Sequence, residues 1–328
     1  MSNVSRKSLF NPFSNSDRLT DSQGEWDWLD NLFTALVWLC SLAVAFTLIW
    51  LASIVFQDSQ PAITAFGLKF LLSQEWNVGE QIFGGLPYIY GTIVSSLLAL
   101  IFAIPLGLAV AILTSENFLP YWLKSPISLM VEAIASIPSV IVGLWGIFVL
   151  IPLMMPLQKW LFENFGWFPL FSTEPFGPGM LVAGVLLAIM ILPTIAAISR
   201  DILLAVPPQL RSASMALGAT RWETIFSILL PSASSGIVGA IILALGRALG
   251  ETMAVTMVIG NSNIISFSLL APGYTIPAVL ANQFAEAVEE LHIVALMYLA
   301  LILFVITLIV NSLAILLVQL IKINAQGD

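Results

Sequence analysis

The residues of this chain best suited to chemistry are two opposite charges inside one strongly apolar run. Arg247 and Glu251 lie four positions apart in the segment LGRALGETMAV. On a helix, this spacing puts both side chains on one face, where they can form an ion pair. A helix rises about 18 Å from Ser235 to Arg247, at roughly 1.5 Å per residue. Arg247 is therefore predicted to lie near the midplane of a membrane.

A charge at that depth has to be compensated. An isolated arginine at the centre of a bilayer costs at least about 2.5–3.5 kcal/mol, which pairing, a polar bundle interior or water would reduce. One interpretation is an ion pair that only fixes helix packing. The other is a charged element in a substrate pathway, in which Arg247 attracts an anion and Glu251 holds the arginine until that anion arrives.

Glu132 is a third charge within an apolar run, six residues before Pro138. We predict it as a further residue of the substrate pathway. The run that contains it is longer than one membrane span. The alternative is therefore a solvated helix end at the cytoplasmic interface.

Other chemistry has little support in the sequence. The single His292 and the single Cys40 exclude a His/Cys metal cluster and a disulfide framework. Neither the Gly-x-Ser-x-Gly nucleophile motif nor the GxxxxGK(S/T) phosphate loop occurs. The apolar runs contain no aspartate that could serve an intramembrane protease. We therefore expect no catalytic residue, no metal and no cofactor.

The composition indicates that the bilayer is the solvent of this chain. Of its 328 residues, 59% are hydrophobic and only 9% are charged, against roughly 25% charged in ordinary soluble domains. Basic residues are too sparse for a nucleic-acid surface. Residues 1–27 are polar, with neither an apolar core nor a cleavage site, so a cleaved signal peptide is not expected.

Six apolar runs are long enough to cross the hydrocarbon core, which takes about 20 mostly apolar residues. They cover approximately 32–56, 89–113, 127–154, 179–199, 233–259 and 293–321. The predicted fold is an all-α polytopic membrane protein with six transmembrane helices. We expect a cytoplasmic tail over 1–30, a membrane domain over 31–322 and a short tail over 323–328.

The distribution of lysine and arginine sets the expected orientation. With the N-terminus in the cytoplasm, the inside segments carry eight of these residues and the outside segments carry only Lys69 and Lys159. Because cytoplasmic loops are enriched in positive charge, we predict that both termini lie on the cytoplasmic side of the cell membrane. The outside loops, 57–88, 155–178 and 260–292, offer either extra surface structure or a docking surface for an extracytoplasmic partner.

The predicted inside loop 200–231 is unusually long. Pro207 and Pro208 end the fourth membrane helix, and QLRSASMALGATRWETIFSILLP then predicts two short amphipathic helices around Gly218. Its apolar side chains lie in a segment that faces water. The pattern alone fits a helix lying on the membrane surface or a helix in the groove of a partner protein.

This loop resembles the EAA motif of ABC-transporter permeases, Glu-Ala-Ala-x3-Gly-x9-Ile-x-Leu-Pro. Ser212 and Ser214 replace the family's Glu and second Ala, which removes one polar contact to the ATPase that the family pattern predicts. The residues that match at the right spacing are Ala213, Gly218, Ile228, Leu230 and Pro231. The segments MALGATRWETI, LGRALGETMAV and IPSVIVGLWGIFVL further resemble the phosphate-specific branch of these permeases.

The resemblance implies a MetI-like permease bundle that forms half of a translocation pathway for inorganic phosphate. It also implies a second homologous permease subunit, two copies of a cytoplasmic ATP-binding subunit and an extracytoplasmic phosphate-binding protein. In that branch, the residues matching Arg247 and Glu251 are implicated in phosphate passage. The implied ATPase-coupling residues are Ser212, Ala213, Ala216, Leu217, Gly218, Ile228, Leu230 and Pro231.

Three other functions stay open at this point. The transported anion could be another oxyanion. An ion-coupled anion transporter or channel would also use a buried arginine and glutamate, but it would not need the 200–231 loop and would work without ATP. A membrane enzyme would turn over its substrate without partners, and the catalytic residues that it needs are not found.

Overall fold

The computed structural model describes residues 27–327, and this part of the chain is helical without a β-strand, which confirms the all-α prediction. The helices are α1 (Asp27–Phe66), α2 (Leu86–Ser115), α3 (Tyr121–Ala135), α4 (Ser139–Trp145), α5 (Ile151–Phe165), α6 (Met180–Ala205), α7 (Pro208–Ala216), α8 (Arg221–Thr224), α9 (Leu230–Gly250), α10 (Met253–Val258), α11 (Ile276–Gln283) and α12 (Glu290–Gly327).

Six helical segments of the described residues are long and apolar enough to cross a membrane, which confirms the predicted number. They are Trp28–Leu71, Leu86–Ser115, Ser139–Phe165, Met180–Ala205, Arg221–Gly250 and Glu290–Leu316.

Three spans differ clearly from the predicted runs. The first extends to Leu71, beyond the predicted end at residue 56. The third was predicted from residue 127, but the chain leaves the helix at Ser136–Pro138, and the span begins at Ser139. Pro138 explains the break, because proline disfavours a helical conformation in the residue before it. The fifth span ends at Gly250 rather than at residue 259, and the extended backbone of Glu251 (ψ 124°) separates it from α10.

The structure describes only part of each predicted terminal tail. Residues 1–26 of the expected 1–30 tail lie outside the described residues, and α1 already begins at Asp27. At the other terminus, α12 continues to Gly327 through residues that we expected in a tail. Residue 328 is again outside the described part.

Within the described residues, the chain divides in α1 after Ile54 into two units, the first ending at Ile54 and the second beginning at Val55. In the described part of the first unit, the side chains are mainly apolar and exposed, for example Phe33, Trp38 and Trp50. This is the surface expected of a helix whose solvent is lipid. The second unit contains the other five spans and the loops between them.

The core of the second unit lies where α2 and α6 pack along each other. Buried residues of both helices, such as Ala99 and Leu187, belong to one apolar cluster. Gly184 of α6 permits the close approach, because a Cβ there would lie 2.5 Å from Cδ2 of Leu98. Since lipid is as apolar as the side chains, close packing of small residues is a main source of helix association in membranes.

Two membrane segments contain a π-helical turn, Gly146–Leu150 between α4 and α5 and Ile225–Leu229 between α8 and α9. Each turn ends two residues before a proline, Pro152 in one and Pro231 in the other. Proline lacks an N–H donor, and its ring crowds the carbonyl four residues earlier. This accounts for the widened turn at both places, and Pro231 of the motif thus shapes the start of a membrane helix.

Contacts between loops define two ends of the second unit. At the Gly218 end, formed by 114–126 and 200–231, the rings of Phe118 and Trp222 stack with centroids 5.1 Å apart. At the Trp76 end, formed by 57–88, 155–178 and 260–292, Nε1 of Trp76 donates to Oε1 of Gln283 at 3.0 Å. There the N–H of Leu269 also donates to the carbonyl of Leu170 at 2.8 Å. The two predicted inside loops therefore lie together, and so do the three predicted outside loops.

Candidate functional site

Arg247 lies in the last turn of α9 with an exposed side chain. It borders two open cavities. One, of about 720 Å³, also contains the polar residues Thr194 and Asn311. The other, of about 240 Å³, is otherwise lined by the apolar residues Ile134, Ile137, Ile141, Val142, Trp145, Ile189 and Met190. Among the described residues, no acidic side chain lies within ion-pair distance of Arg247.

The structure corrects the predicted pair between Arg247 and Glu251. Because α9 ends at Gly250, Glu251 leaves the helix, and the four-residue spacing no longer puts both side chains on one face. The Oε1 atom of Glu251 instead accepts from the N–H of Ala254 at 3.5 Å. The interpretation of a pair that only fixes packing therefore fails, and the arginine faces the cavities alone.

Glu132 lies on α3, outside the six spans. Its side chain is 56% exposed, and its Oε1 lies 3.5 Å from Nη2 of Arg200, which also contacts Asp201 at 3.1 Å. The apolar run 127–154 does not form one helix, because the break at Ser136–Pro138 makes α3 a separate helix. The location matches the alternative of a solvated helix end, and a role in the pathway stays a prediction.

The loop around Gly218 has the two short helices that the sequence predicts. α7 ends at Ala216, Gly218 takes a positive φ of 91°, and α8 begins at Arg221. This conformation favours glycine, since it has no Cβ. Thr220 caps α8: its hydroxyl accepts from the N–H of Glu223 at 3.3 Å, and the Glu223 carboxylate accepts from the N–H of Thr220 at 2.7 Å.

The motif residues divide into an exposed part and a packed part. Leu217 is 90% exposed, the highest value among the large apolar side chains of this loop, and Trp222 is 56% exposed. Leu230 packs against the apolar cluster that contains Leu203 and Leu229. The exposed motif residues are Ser212, Ala213, Ala216, Leu217, Gly218 and Pro231, and the half-buried ones are Ile228 and Leu230. Residues 212–218 thus present a surface, and residues 228–231 shape the start of α9.

Sequence reasoning missed two features of this end. The T-x-x-E spacing of Thr220 and Glu223 is the signature of a helix capping box and could have been found. The ion pair between Arg211 and Glu116, with Nη2 and Oε1 3.1 Å apart, could not, because the two residues are 95 positions apart and no local pattern joins them.

Comparison with known proteins identifies the family. Residues 103–323 match the model described as "Binding-protein-dependent transport system inner membrane component", a range that contains both Arg247 and the Gly218 loop. The chain belongs to this family. It is a multi-pass membrane protein and a permease component of a transport system.

Curated relatives cover most of the permease. It is 43% identical to the phosphate transport system permease protein PstC of Mesorhizobium japonicum over 290 residues, which make up 87% of this chain and 88% of that protein. It is 44% identical to the protein of the same name from Xylella fastidiosa over 284 residues, 84% of this chain and 87% of that protein.

The fold of the permease is found in a solved transporter. It is similar to a chain in the crystal structure of a bacterial alginate ABC transporter in complex with an alginate pentasaccharide-bound periplasmic protein, with a TM-score of 0.58. The similarity covers 88% of this chain and 95% of that chain at 16% sequence identity. At that identity it concerns the fold alone, which is the predicted MetI-like permease bundle.

Proposed function

We propose that this chain is the membrane-spanning permease subunit of an ATP-driven ABC importer for inorganic phosphate, and that it forms half of the translocation pathway. The observation that carries the proposal is Arg247, a cation with no acidic partner among the described residues, at the edge of two cavities. The names of the relatives, at 43–44% identity, support phosphate as the anion.

Electrostatics support an anion at Arg247. A lone arginine within a membrane span is costly, so such residues face a cavity or another subunit that compensates the charge. A Cβ added at Gly239 or Gly246, near Arg247, would have no neighbouring atom within 4 Å. This side of α9 is therefore open. A second, homologous permease subunit would cover it, and the pathway would run between the two subunits. Glu251 and Glu132 are the further pathway residues that we propose.

The surface of residues 212–218 supports docking of a separate ATP-binding subunit. An exposed leucine directly after a short helix, as Leu217 follows α7, suits a helix that lies in a groove of its partner. Two copies of this subunit would bind the two permeases, and their closure would tilt the helices and open the pathway alternately to each side. The permease itself would hydrolyse nothing.

Charge supports the orientation. Both predicted inside loops share the Gly218 end, and the eight lysines and arginines of the inside segments favour a cytoplasmic location for it. Both termini would then be cytoplasmic. The Trp76 end would face an extracytoplasmic phosphate-binding protein.

Uptake of radiolabelled phosphate by the reconstituted complex, with and without ATP, tests this function. We expect uptake that requires ATP and the binding protein and that an excess of sulfate does not reduce. Uptake that continues without ATP would identify an ion-coupled transporter or a channel. ATP-dependent uptake of sulfate in place of phosphate would identify a permease for another oxyanion.

Substitutions at Arg247 test the site within the same assay. We expect Arg247→Gln to lower phosphate uptake by about tenfold or more, in the range typical of losing a charged contact. Arg247→Lys, which keeps the charge, should retain more uptake than Arg247→Gln. If Arg247→Gln and Glu251→Gln both leave uptake unchanged at normal protein levels, the charged pathway is not supported.

A further inference from the structure

Arg211 joins the exposed loop to the membrane helices. From α7 its guanidinium reaches the ends of two spans, α2 and α6. We propose that Arg211 is the positioning residue through which movement of the Gly218 loop is transmitted to α6 and α2 in the transport cycle. This inference rests on the proposed function, because it needs an ATPase that moves the loop.

The contact with α6 is made at the end of the helix. Nη2 of Arg211 donates to the carbonyl of Leu203 at 2.7 Å, and Nη1 donates to the carbonyl of Val206 at 2.8 Å. Helix C-termini leave carbonyl groups without intrahelical donors, and here Pro207 and Pro208 have no N–H to offer. The arginine thus supplies the donor that Pro207 cannot give to the Leu203 carbonyl, which also accepts from the N–H of Val206 at 3.4 Å. Its positive charge is favourable at the negative end of the helix dipole.

The contact with α2 is a partly buried ion pair. Glu116 follows the last residue of α2. Its Oε1 lies 3.1 Å from Nε and 3.1 Å from Nη2 of Arg211, and both side chains are only 19% exposed. Hydrogen bonds in which donor and acceptor are charged are roughly twice as strong as neutral ones. Partial burial also protects the pair from screening by salt.

These contacts bear on transmission because α2 and α6 form the packed core of the second unit. A shift of α7 that keeps the Arg211 contacts must shift the ends of both helices, and a tightly packed core passes such a shift on as a whole. α7 itself has no buried residue. The Arg211 side chain is therefore its strongest described attachment to the two spans.

Arg221 provides a matched control on the same loop. It carries the same charge and is exposed, and its described hydrogen bond is a single one, from Nη1 to the carbonyl of Asn117 at 3.2 Å. It makes no described ion pair. Loss of Arg221 removes one cation from this end of the protein without cutting the link to α6.

The experiment compares Arg211→Gln, Arg211→Lys and Arg221→Gln in the full reconstituted complex, with phosphate uptake and ATP hydrolysis measured together. A cysteine at the exposed Ala216, cross-linked to the ATP-binding subunit, reports docking in each variant and leaves Leu217 in place. We expect Arg211→Gln to keep the cross-link but to lower the phosphate imported per ATP hydrolysed by about tenfold, a typical size for coupling between two sites. Arg211→Lys should restore part of this ratio, and Arg221→Gln should keep the wild-type value.

An unchanged ratio in Arg211→Gln would overturn the proposal, and so would an equal fall in Arg221→Gln. If Arg211→Gln does not assemble, Glu116→Ala decides, because it leaves both bonds to α6 in place. We expect a smaller fall in the ratio for this variant, and a wild-type ratio contradicts the proposal. Failure of the proposed function can be distinguished from failure of the Arg211 inference. In that case the wild-type complex itself would show no ATP-dependent import of phosphate.

Discussion

The two ends of the second unit differ in how their aromatic side chains are packed. At the Trp76 end, Tyr88 is 0% exposed, and its ring lies 5.0 Å from that of Trp76 and 5.4 Å from that of Tyr274. At the Gly218 end, Leu217 is 90% exposed. Both ends join apolar spans through short helices. Both ends also expose apolar side chains, such as Val288 at 90% at the Trp76 end. The aromatic cluster around Tyr88 is nevertheless buried, whereas the stacked rings of Trp222 and Phe226 at the Gly218 end are 56% and 60% exposed.

The hydrogen bonds of polar groups also differ between the two ends. At the Trp76 end they bond each other: Nδ2 of Asn282 donates to the hydroxyl oxygen of Tyr274 at 2.8 Å, and the Tyr88 hydroxyl donates to Asn263 at 3.1 Å. Burial raises the pKa of the Tyr274 hydroxyl, so it stays neutral in this setting. At the Gly218 end, Thr220 and Glu223 are exposed and bond only within the loop. The Tyr88 bond thus joins two different loops, whereas the bonds of Thr220 and Glu223 stay within one loop.

Among the variants that test this difference between the ends, Tyr88→Ala is expected to have the largest effect. Removing a fully buried aromatic ring costs about 3–5 kcal/mol, so the variant should unfold at a clearly lower temperature in detergent. Tyr88→Phe keeps the ring and loses only the hydrogen bond to Asn263, at a cost of about 1 kcal/mol. Thermal unfolding of the purified protein checks both variants. A wild-type midpoint for Tyr88→Ala would show that the Trp76 end is not a packed unit.

Much of the Gly218 end could be predicted from the sequence, because local chemistry determines it. Pro207 and Pro208 end one helix, and Gly218 breaks the loop into two short ones. The number of spans was equally accessible, since each is a continuous apolar run. The contacts that hold the Trp76 end together were not, because Tyr88 and Asn263 are 175 positions apart and no period in the sequence relates them.

At the candidate site, too, the sequence predicted local features but not the contacts that depend on tertiary structure. Arg247 was found because a charge within an apolar run is visible in any sequence. Its relation to Glu251 was predicted wrongly, because the pairing rule assumes that the helix continues and α9 ends between the two residues. LGRALGETMAV contains no proline to signal that ending, and its glycines also occur inside membrane helices. The bond between Arg211 and the end of α6 likewise depends on tertiary structure.

Leu217→Ala is expected to have the second-largest effect. It should weaken binding of the ATP-binding subunit rather than lower the stability of the chain. Truncating an exposed apolar anchor at an interface costs about 2 kcal/mol when the residue is a hot spot, and so we expect roughly 30-fold weaker binding of the ATP-binding subunit. Leu68→Ala is the control, since Leu68 is a leucine of the Trp76 end that is 78% exposed. Binding measured in detergent should be unchanged for Leu68→Ala. Equal losses in the two variants would remove the distinction between the ends.

Gly218→Ala should have a smaller effect, on the loop itself. A φ of 91° is strained for any residue with a Cβ, and we expect a cost of roughly 1–2 kcal/mol. Since no atom lies within 4 Å of the added Cβ, strain is the only source of that cost. Gly239→Ala has equally open space but lies within α9, so it should stabilise the isolated chain by up to about 1 kcal/mol. Thermal unfolding distinguishes the two, and effects of the same sign would contradict the assigned backbone.

The smallest effect is expected from Thr220→Ala, which removes the cap of α8. Loss of a threonine cap costs about 1 kcal/mol, and Glu223 then loses one of its hydrogen-bond partners, the Thr220 hydroxyl. α8 should fray without a change at the Trp76 end, because none of the bonds of Thr220 leaves the loop. Hydrogen exchange measured by mass spectrometry checks this, with Thr220→Ser as the variant that keeps the hydroxyl. Faster exchange at both ends in Thr220→Ala would mean that the two ends unfold together and that their different packing does not make them independent.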